Sequence, residues 1–271
     1  MINRTGKTIH REFWENRLVE IFDEGDTRSL YFGGRYLQSR MSLSSPHLLS
    51  LLYTHYMMFA LLFRQELRNI LLVGLGAGSL VRFLHHHFPM CSIDAVDHSP
   101  HIINLARGYF QLPESSNIHI HCCDGFRFLA NTKISKAYDL ILIDAFDEQG
   151  MSAQIYSEDF FSMCANVLHP SGTLTCNMWS GNTQYLSEIS SILNTCFTGR
   201  VVLPVPKRGN VINHLRKQSV DWSDIHRSRQ ELLTLLEKFN MNFPQMVNVA
   251  EKHNLNLGQR MMQLFSNFSL H

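Results

Sequence analysis

From residue 69 onward the chain alternates short apolar runs with stretches whose apolar residues recur at helical spacing. NILLVG, CSIDAVD, NIHIHCCD, YDLILIDAF and SGTLTCNMW have the length and composition of strands. Between and after them lie SLVRFLHHH, SPHIINLARGYF, GFRFLAN, SEDFFSMCANVL and a stretch from about Thr183 to Leu193, each with a helical pattern. Ser99 with Pro100, and Ser157, read as helix starts. Nearly continuous apolar strands alternating with helices predict an α/β fold, a parallel sheet covered on both faces. GRVVLPVPKRGNVINHL predicts a hairpin about KRGN that closes the sheet antiparallel, and the tail from Ser223 reads as amphipathic helix.

The first part of the chain has a different rhythm. RLVEIFDEGDTRSLYFGGRYLQS alternates around the turn signals DEGD and FGGR, which predicts two or three hairpin strands. LLSLLYTHYMMFALLF follows, with apolar residues at 51, 52, 56, 59, 62 and 63. This predicts a mostly buried helix from about Leu48 to Arg64, too short and too interrupted for the ~20 apolar residues that span a bilayer. The expected organisation is an N-terminal β-hairpin domain at 1–45 and a larger α/β domain at 46–271.

Charge and cysteine content narrow the classes. Lys plus Arg number 24 against 23 for Asp plus Glu, a formal charge of +1, which argues against nucleic acid as a partner. The opening MINRTGKTIHREFW has no apolar signal core, and the six cysteines show no CxxC spacing, so free thiols in the cytoplasm are expected.

Ligands of such sheets bind beyond the C-terminal strand ends. There the first strand ends in the loop GLGAGS, with Gly74, Gly76 and Gly78. These glycines let a ligand approach the backbone, and the helix that follows offers N–H groups. The second strand ends in Asp97, placed to accept hydrogen bonds from a ribose diol. The third ends in Asp124 and Gly125, where the carboxylate can meet an adenine amino group. Together these point to an adenosine site. A dinucleotide fingerprint would need its third glycine at position 79, where Ser79 stands. The fourth strand ends in Asp144-Ala145-Phe146-Asp147. A single acid there caps a turn; two spaced D-x-x-D beside an adenosine site can bind a cationic amine and take its proton. An alkylammonium with pKa ~10 cannot attack until it is deprotonated.

Other chemistry-bearing residues have plainer readings. His85–His87 reads as a solvated helix end, and Met57 and Met58 as core. His119, His121 and Cys123 share a strand face but lack a further ligand cluster, so no metal is expected.

GRYLQSRM, Tyr53 in YTHYMM, VGLGAGS, DAVD, CCDGFRFL, DLILIDAFD and YSEDFF, in this order, resemble the spermidine synthase family of aminopropyltransferases over roughly residues 17–205. The resemblance implies a small N-terminal β-domain before a Rossmann-like, methyltransferase-type doubly wound sheet, in a homodimer or higher homo-oligomer. It implies transfer of an aminopropyl group from decarboxylated S-adenosylmethionine, a co-substrate, to a small diamine such as putrescine, with no metal and no permanently bound cofactor. By position, Asp97 matches the ribose-binding acid, Asp124 the adenine contact and Asp144 the catalytic carboxylate. Asp147, Tyr53 and Gln38 match residues around the amine and nucleoside. Three positions depart from the family pattern. Ala77 replaces an acid of the glycine loop that would pair with the donor's ammonium, His55 replaces a glutamate, and Glu148 stands where proline is usual.

Two other readings remain open at this level. An S-adenosylmethionine-dependent methyltransferase fits the same loop, although Leu72 stands where such loops commonly carry an acid. A catalytically silent nucleoside-binding protein fits the same fold.

Overall fold

The computed structural model describes residues 6–255 except 34–35, 65, 132–136 and 148–149; Glu148 and the tail beyond 255 therefore lie outside the described residues. An antiparallel sheet comes first: β1 (Lys7–Trp14), β2 (Arg17–Glu24), β3 (Thr27–Phe32) and β4 (Tyr36–Ser42), adjacent in that order. The sequence pattern suggested two or three of these strands. The additional one, KTIHREFW, has no fully buried position, so apolar alternation gave no signal for it.

The stretch expected as one helix is shorter and tighter: α1 (Leu52–Met57) runs directly into a 3-10 turn over Met58–Leu62. Every side chain from Tyr56 to Leu62 is buried, so no single apolar stripe holds an α-helical period there.

The main sheet is built from β5 (Asn69–Val73), β6 (Ser92–Asp97), β7 (Ile118–Cys122), β8 (Tyr138–Ile143), β11 (Leu168–Trp179), β12 (Gly199–Pro204) and β13 (Asn210–Arg216). A two-residue pair, β9 (Phe146–Asp147) with β10 (Gly150–Met151), sits beyond β8. The order across the sheet is β12-β13-β11-β8-β5-β6-β7. The five strands from β11 to β7 are mutually parallel, and β13 runs antiparallel to β11. The helices are α2 (Ser79–His87), α3 (Pro100–Tyr109), α4 (Gly125–Asn131), α5 (Glu158–Val167), α6 (Thr183–Cys196), α7 (Arg229–Phe239) and α8 (Phe243–Asn254). The hydroxyls of Ser99 and Ser157 accept from the amides of Ile102 and Phe160, which fixes the starts of α3 and α5.

Burial explains the absence of alternation in the strands. Ile70, Leu72, Leu140 and Leu142 face a core with α1, α2, α3, α7 and α8. Leu71, Val73, Ile141 and Ile143 face a second core with α4, α5 and α6. Both faces are covered, so the apolar residues of β5 and β8 face one core or the other. A third cluster joins Val19, Ile21, Leu30 and Met41 of the N-terminal sheet to Ile102, Leu105 and Phe110 of the α3 region, and to Ala77. The small sheet therefore packs against the glycine loop.

No helix among the described residues is long and apolar enough to cross a membrane. The described cysteines are free. One expectation needs correcting: the histidine run is not a uniformly solvated face. His87 packs against Phe83 and Phe239, and burial pushes its imidazole down to about 4.

Candidate active site

The chain leaves β5 toward β6 and β7, then returns to place β8 on the other side of β5. The crevice between the C-terminal ends of β5 and β8 is thus the topological switch point, where open α/β sheets bind ligands. Gly74 occupies its narrowest part with φ +94°, and an added Cβ would lie 2.3 Å from the Asp144 carbonyl oxygen. Only glycine lets the two strand ends approach so closely. Gly76 and Gly78 also have positive φ, and Gly78 begins α2 without a side-chain cap. The amides of the first turn of α2 therefore remain for a ligand.

The N-terminal sheet completes the loop. Ser39, buried on β4, accepts a hydrogen bond from the Ala77 amide at 3.2 Å. Gln38 is exposed and is the extra residue of a β-bulge, since Leu30 pairs with Ser39 and Tyr31 with Leu37. Arg82, 5% exposed, donates to the carbonyls of Pro46, Ala77 and Phe110 and to Ser79 Oγ. Burial pushes this guanidinium down to about 10.

The acids at the strand ends do different work. Asp97 accepts from the Leu75 amide and the Ser99 amide, both at 2.9 Å, and so ties the end of β6 to the glycine loop. Asp124 accepts from the Arg127 amide at 2.9 Å as the cap of α4, and Gly125 opens that helix against Val73. Asp147 lies on β9, where its backbone pairs with Gly150.

Asp144 is held from two sides. Tyr53 of α1 donates its hydroxyl to Oδ2 at 2.9 Å, and Asn177 of β11 donates Nδ2 to Oδ1 at 2.8 Å. Burial raises the carboxyl above its ordinary value, against the lowering effect of these two bonds. It also raises the Tyr53 phenol well above its ordinary value, so Tyr53 is a neutral donor. Both partners are neutral, and each carboxylate oxygen keeps a lone pair for an incoming group. A carboxylate so placed can accept a proton from a bound amine.

Sequence reading assembled Gly74, Tyr53 and Asp144 at this crevice, flanked by Asp97 and Asp124. It missed Ser39, Arg82, Asn177 and Asn210, whose Nδ2 donates to Asn177 Oδ1 at 2.9 Å. A buried Arg in an apolar helix and an Asn inside the strand TLTCNMW were the available signals. Of the departing positions, Ala77 and His55 add no acid. Ala77 is 2% exposed within the third core, and His55 bonds to the Leu49 carbonyl at 2.7 Å with its imidazole lowered by burial. His121 pairs with Asp94 at 2.9 Å, and among the described residues no three His, Cys, Asp or Glu gather to hold a metal.

A family model described as the spermine/spermidine synthase domain matches residues 51–205. A polyamine aminopropyltransferase of Chromobacterium violaceum is 37% identical over 238 residues, which cover 87% of this chain and 90% of that protein. Among solved structures, a probable spermidine synthase from Corynebacterium glutamicum gives a TM-score of 0.70 at 19% identity, covering 87% of each chain. Human methyltransferase-like protein 13 in complex with SAH gives 0.61 at 22% identity, covering 73% of this chain and 93% of that one. At these identities the two structures show a shared fold.

Proposed function

The chain belongs to the spermine/spermidine synthase family, and from that membership together with Asp144 at the switch point we propose that it transfers an aminopropyl group from decarboxylated S-adenosylmethionine to a small diamine such as putrescine. The observation that carries this reading is the half-buried Asp144 carboxylate, held between Tyr53 and Asn177 and bonded to no cation among the described residues.

In this mechanism the adenosine lies over the glycine loop, with Asp97 at the ribose and Asp124 at the adenine. The α2 N-terminus and Gln38 flank it. The diamine enters as an ammonium, held by Asp147 and Tyr53. Asp144 takes its proton, the freed nitrogen lone pair attacks the methylene carbon next to sulfur, and the carbon–sulfur bond electrons leave with sulfur. The products are a secondary ammonium, neutral methylthioadenosine and one proton, released from Asp144 to water. Positioning two reactants in line and providing one base are what this site contributes. We assign the domain boundary near residue 45, a cytoplasmic location and a homodimer or larger homo-oligomer to the same reading.

Methyl transfer from S-adenosylmethionine is the second reading, favoured by one observation: Ala77 leaves the loop without the acid that would pair with the donor's ammonium. Mass spectrometry after incubation with each donor and putrescine separates the two. Spermidine with methylthioadenosine supports aminopropyl transfer. A methylated amine from S-adenosylmethionine, with no product from the decarboxylated donor, refutes it.

A further inference from the structure

Resting on the reading of Asp144 as the base, we propose that Asn210 is a positioning residue: it orients the side-chain amide of Asn177 so that its N–H, and not its oxygen, faces the Asp144 carboxylate. An ionised carboxylate only accepts hydrogen bonds, so Asn177 must present Nδ2 to it. That leaves Asn177 Oδ1 turned away in a place water does not reach, since Asn177 is 2% exposed. The two orientations of an asparagine amide fill the same volume, so packing alone does not choose between them. Hydrogen bonding does.

Asn210 supplies the choice. Its Nδ2 donates to Asn177 Oδ1 at 2.9 Å, and Asn177 Nδ2 then donates to Asp144 Oδ1 at 2.8 Å. Asn177 pairs with Ile212 across the β11–β13 ladder, so Asn210 is its diagonal neighbour two residues earlier on β13. The Asn177 backbone carbonyl accepts from the Tyr156 hydroxyl, which fixes the strand while the side chain is set by Asn210. Beside an ionised Asp144 the amide keeps its N–H inward, but once Asp144 is protonated a turned amide can accept from the carboxyl O–H, and the bond from Asn210 is what opposes that turn. With the Asn210 donor gone the protonated pair gains stability, and a protonated Asp144 is no base. Among the described residues, the titratable groups facing this carboxylate are Tyr53 from α1 and Tyr156 from the turn before α5. Both phenols are raised well above their ordinary value by burial and stay neutral. The β12–β13 hairpin, through Asn210, thereby sets the protonation state of a base on the neighbouring side of the sheet.

The test is a carboxyl 13C titration of protein labelled at aspartate, with the Asp144 signal assigned by its loss in Asp144→Asn. It is run beside the pH profile of kcat/KM. Asn210→Leu removes the donor without adding charge, and Asn210→Ala serves if leucine crowds the turn. The expected result is an upward move of the Asp144 midpoint and of the acidic limb by about one pH unit, roughly tenfold less activity below the limb, and a high-pH plateau within about twofold of the parent. Asn177→Leu should give a similar move, and Asn210→Leu added to it should give none. An unmoved midpoint in folded Asn210→Leu protein overturns the proposal, and so does an additive move in the double variant. A moved midpoint in a protein that makes no aminopropyl product with any amine upholds the relay and removes the catalytic reading of Asp144 instead.

Discussion

Asp144→Asn separates chemistry from architecture. The variant keeps the Oδ1 that accepts from Asn177 Nδ2, and the Tyr53 hydroxyl, now 2.9 Å from Oδ2, can rotate to accept from the new amide. Shape and both bonds survive, while the proton acceptor is gone. Loss of a positioned general base costs about 10²- to 10⁴-fold. At about 1.4 kcal/mol per decade, that is roughly 3–5 kcal/mol on the barrier.

The deficit should depend on pH in a specific way. Without Asp144 the reaction draws on amine already deprotonated in solution, about a thousandth of an amine of pKa ~10 at pH 7. The variant's kcat/KM should therefore rise about tenfold per pH unit from 7 to 9, while the parent approaches its plateau earlier. Stability should move the opposite way to activity. The folded pKa of Asp144 is raised by burial, so its contribution is most favourable below the ordinary carboxyl value and is lost as pH rises through the folded value. At pH 7.5 the ionised group is a net cost, and Asp144→Asn should melt at or above the parent temperature; in acid the difference should vanish. Initial rates by mass spectrometry and melts at two pH values test both halves. A variant within threefold of the parent at pH 7.5, or one whose rate is flat from pH 7 to 9, would refute the base assignment.

Arg82→Met should strip a donor from the carbonyls of Pro46, Ala77 and Phe110. At about 1–3 kcal/mol for each buried acceptor left unpaired, offset by the removed buried cation, a net loss of about 3–5 kcal/mol is expected. That is a fall of roughly 6 °C or more in Tm, and an unchanged Tm would show that the arginine does not brace the loop. Acid should destabilise the fold through His87, held at about 4 in the folded state. Its contribution is intact above the ordinary value near 6.5 and is lost as pH falls toward 4. Discounted for partial exposure the loss is about 1–2 kcal/mol. Denaturant titrations at pH 7 and pH 4.5 should show His87→Leu losing less stability in acid than the parent, and equal losses would be contrary.

Much of the sheet was readable because β5 and β8 are largely apolar on both faces, β6 and β11 are mostly buried, and the helix starts carry Ser99 and Ser157. The site was readable only where backbone geometry forces residue type. Gly74 must lack a Cβ beside Asp144, and acids at strand ends fall at the crevice whatever the side-chain packing. What escaped were partners chosen by tertiary contact. Asn177 lies 33 positions from both Asp144 and Asn210, and nothing in TLTCNMW tells which side chain its amide meets. Ser39 looks like one polar residue among several in YLQSRMS until the bulge at Gln38 sets it under the Ala77 amide. The strand β1 escaped for a related reason: it pairs along β2 with no fully buried position, and only Ile9 and Trp14 pack on the third cluster, which leaves no apolar period to read.

Ala77 bears on which donors the loop admits. S-adenosylmethionine and its decarboxylated form share an ammonium, and only the former carries a carboxylate beside it. An acid at position 77 would attract the ammonium of both and repel the carboxylate of one, and that repulsion is a source of selectivity. Here the position holds a methyl group inside an apolar cluster, and its carbonyl accepts from the Arg82 guanidinium. The loop is thus neutral at residue 77, over a buried cation. A charged hydrogen bond of this kind contributes about 1.5–3 kcal/mol, so its absence should weaken the decarboxylated donor ten- to hundredfold and remove a penalty on the carboxylated one. The two compounds should bind within about tenfold of each other by calorimetry. Ala77→Asp should widen the gap in favour of the decarboxylated donor, while lowering the melting temperature of the unliganded protein by burying a carboxylate among Val19, Ile21 and Phe110. A parent protein that already prefers the decarboxylated donor by a hundredfold would show that selectivity resides elsewhere in the crevice.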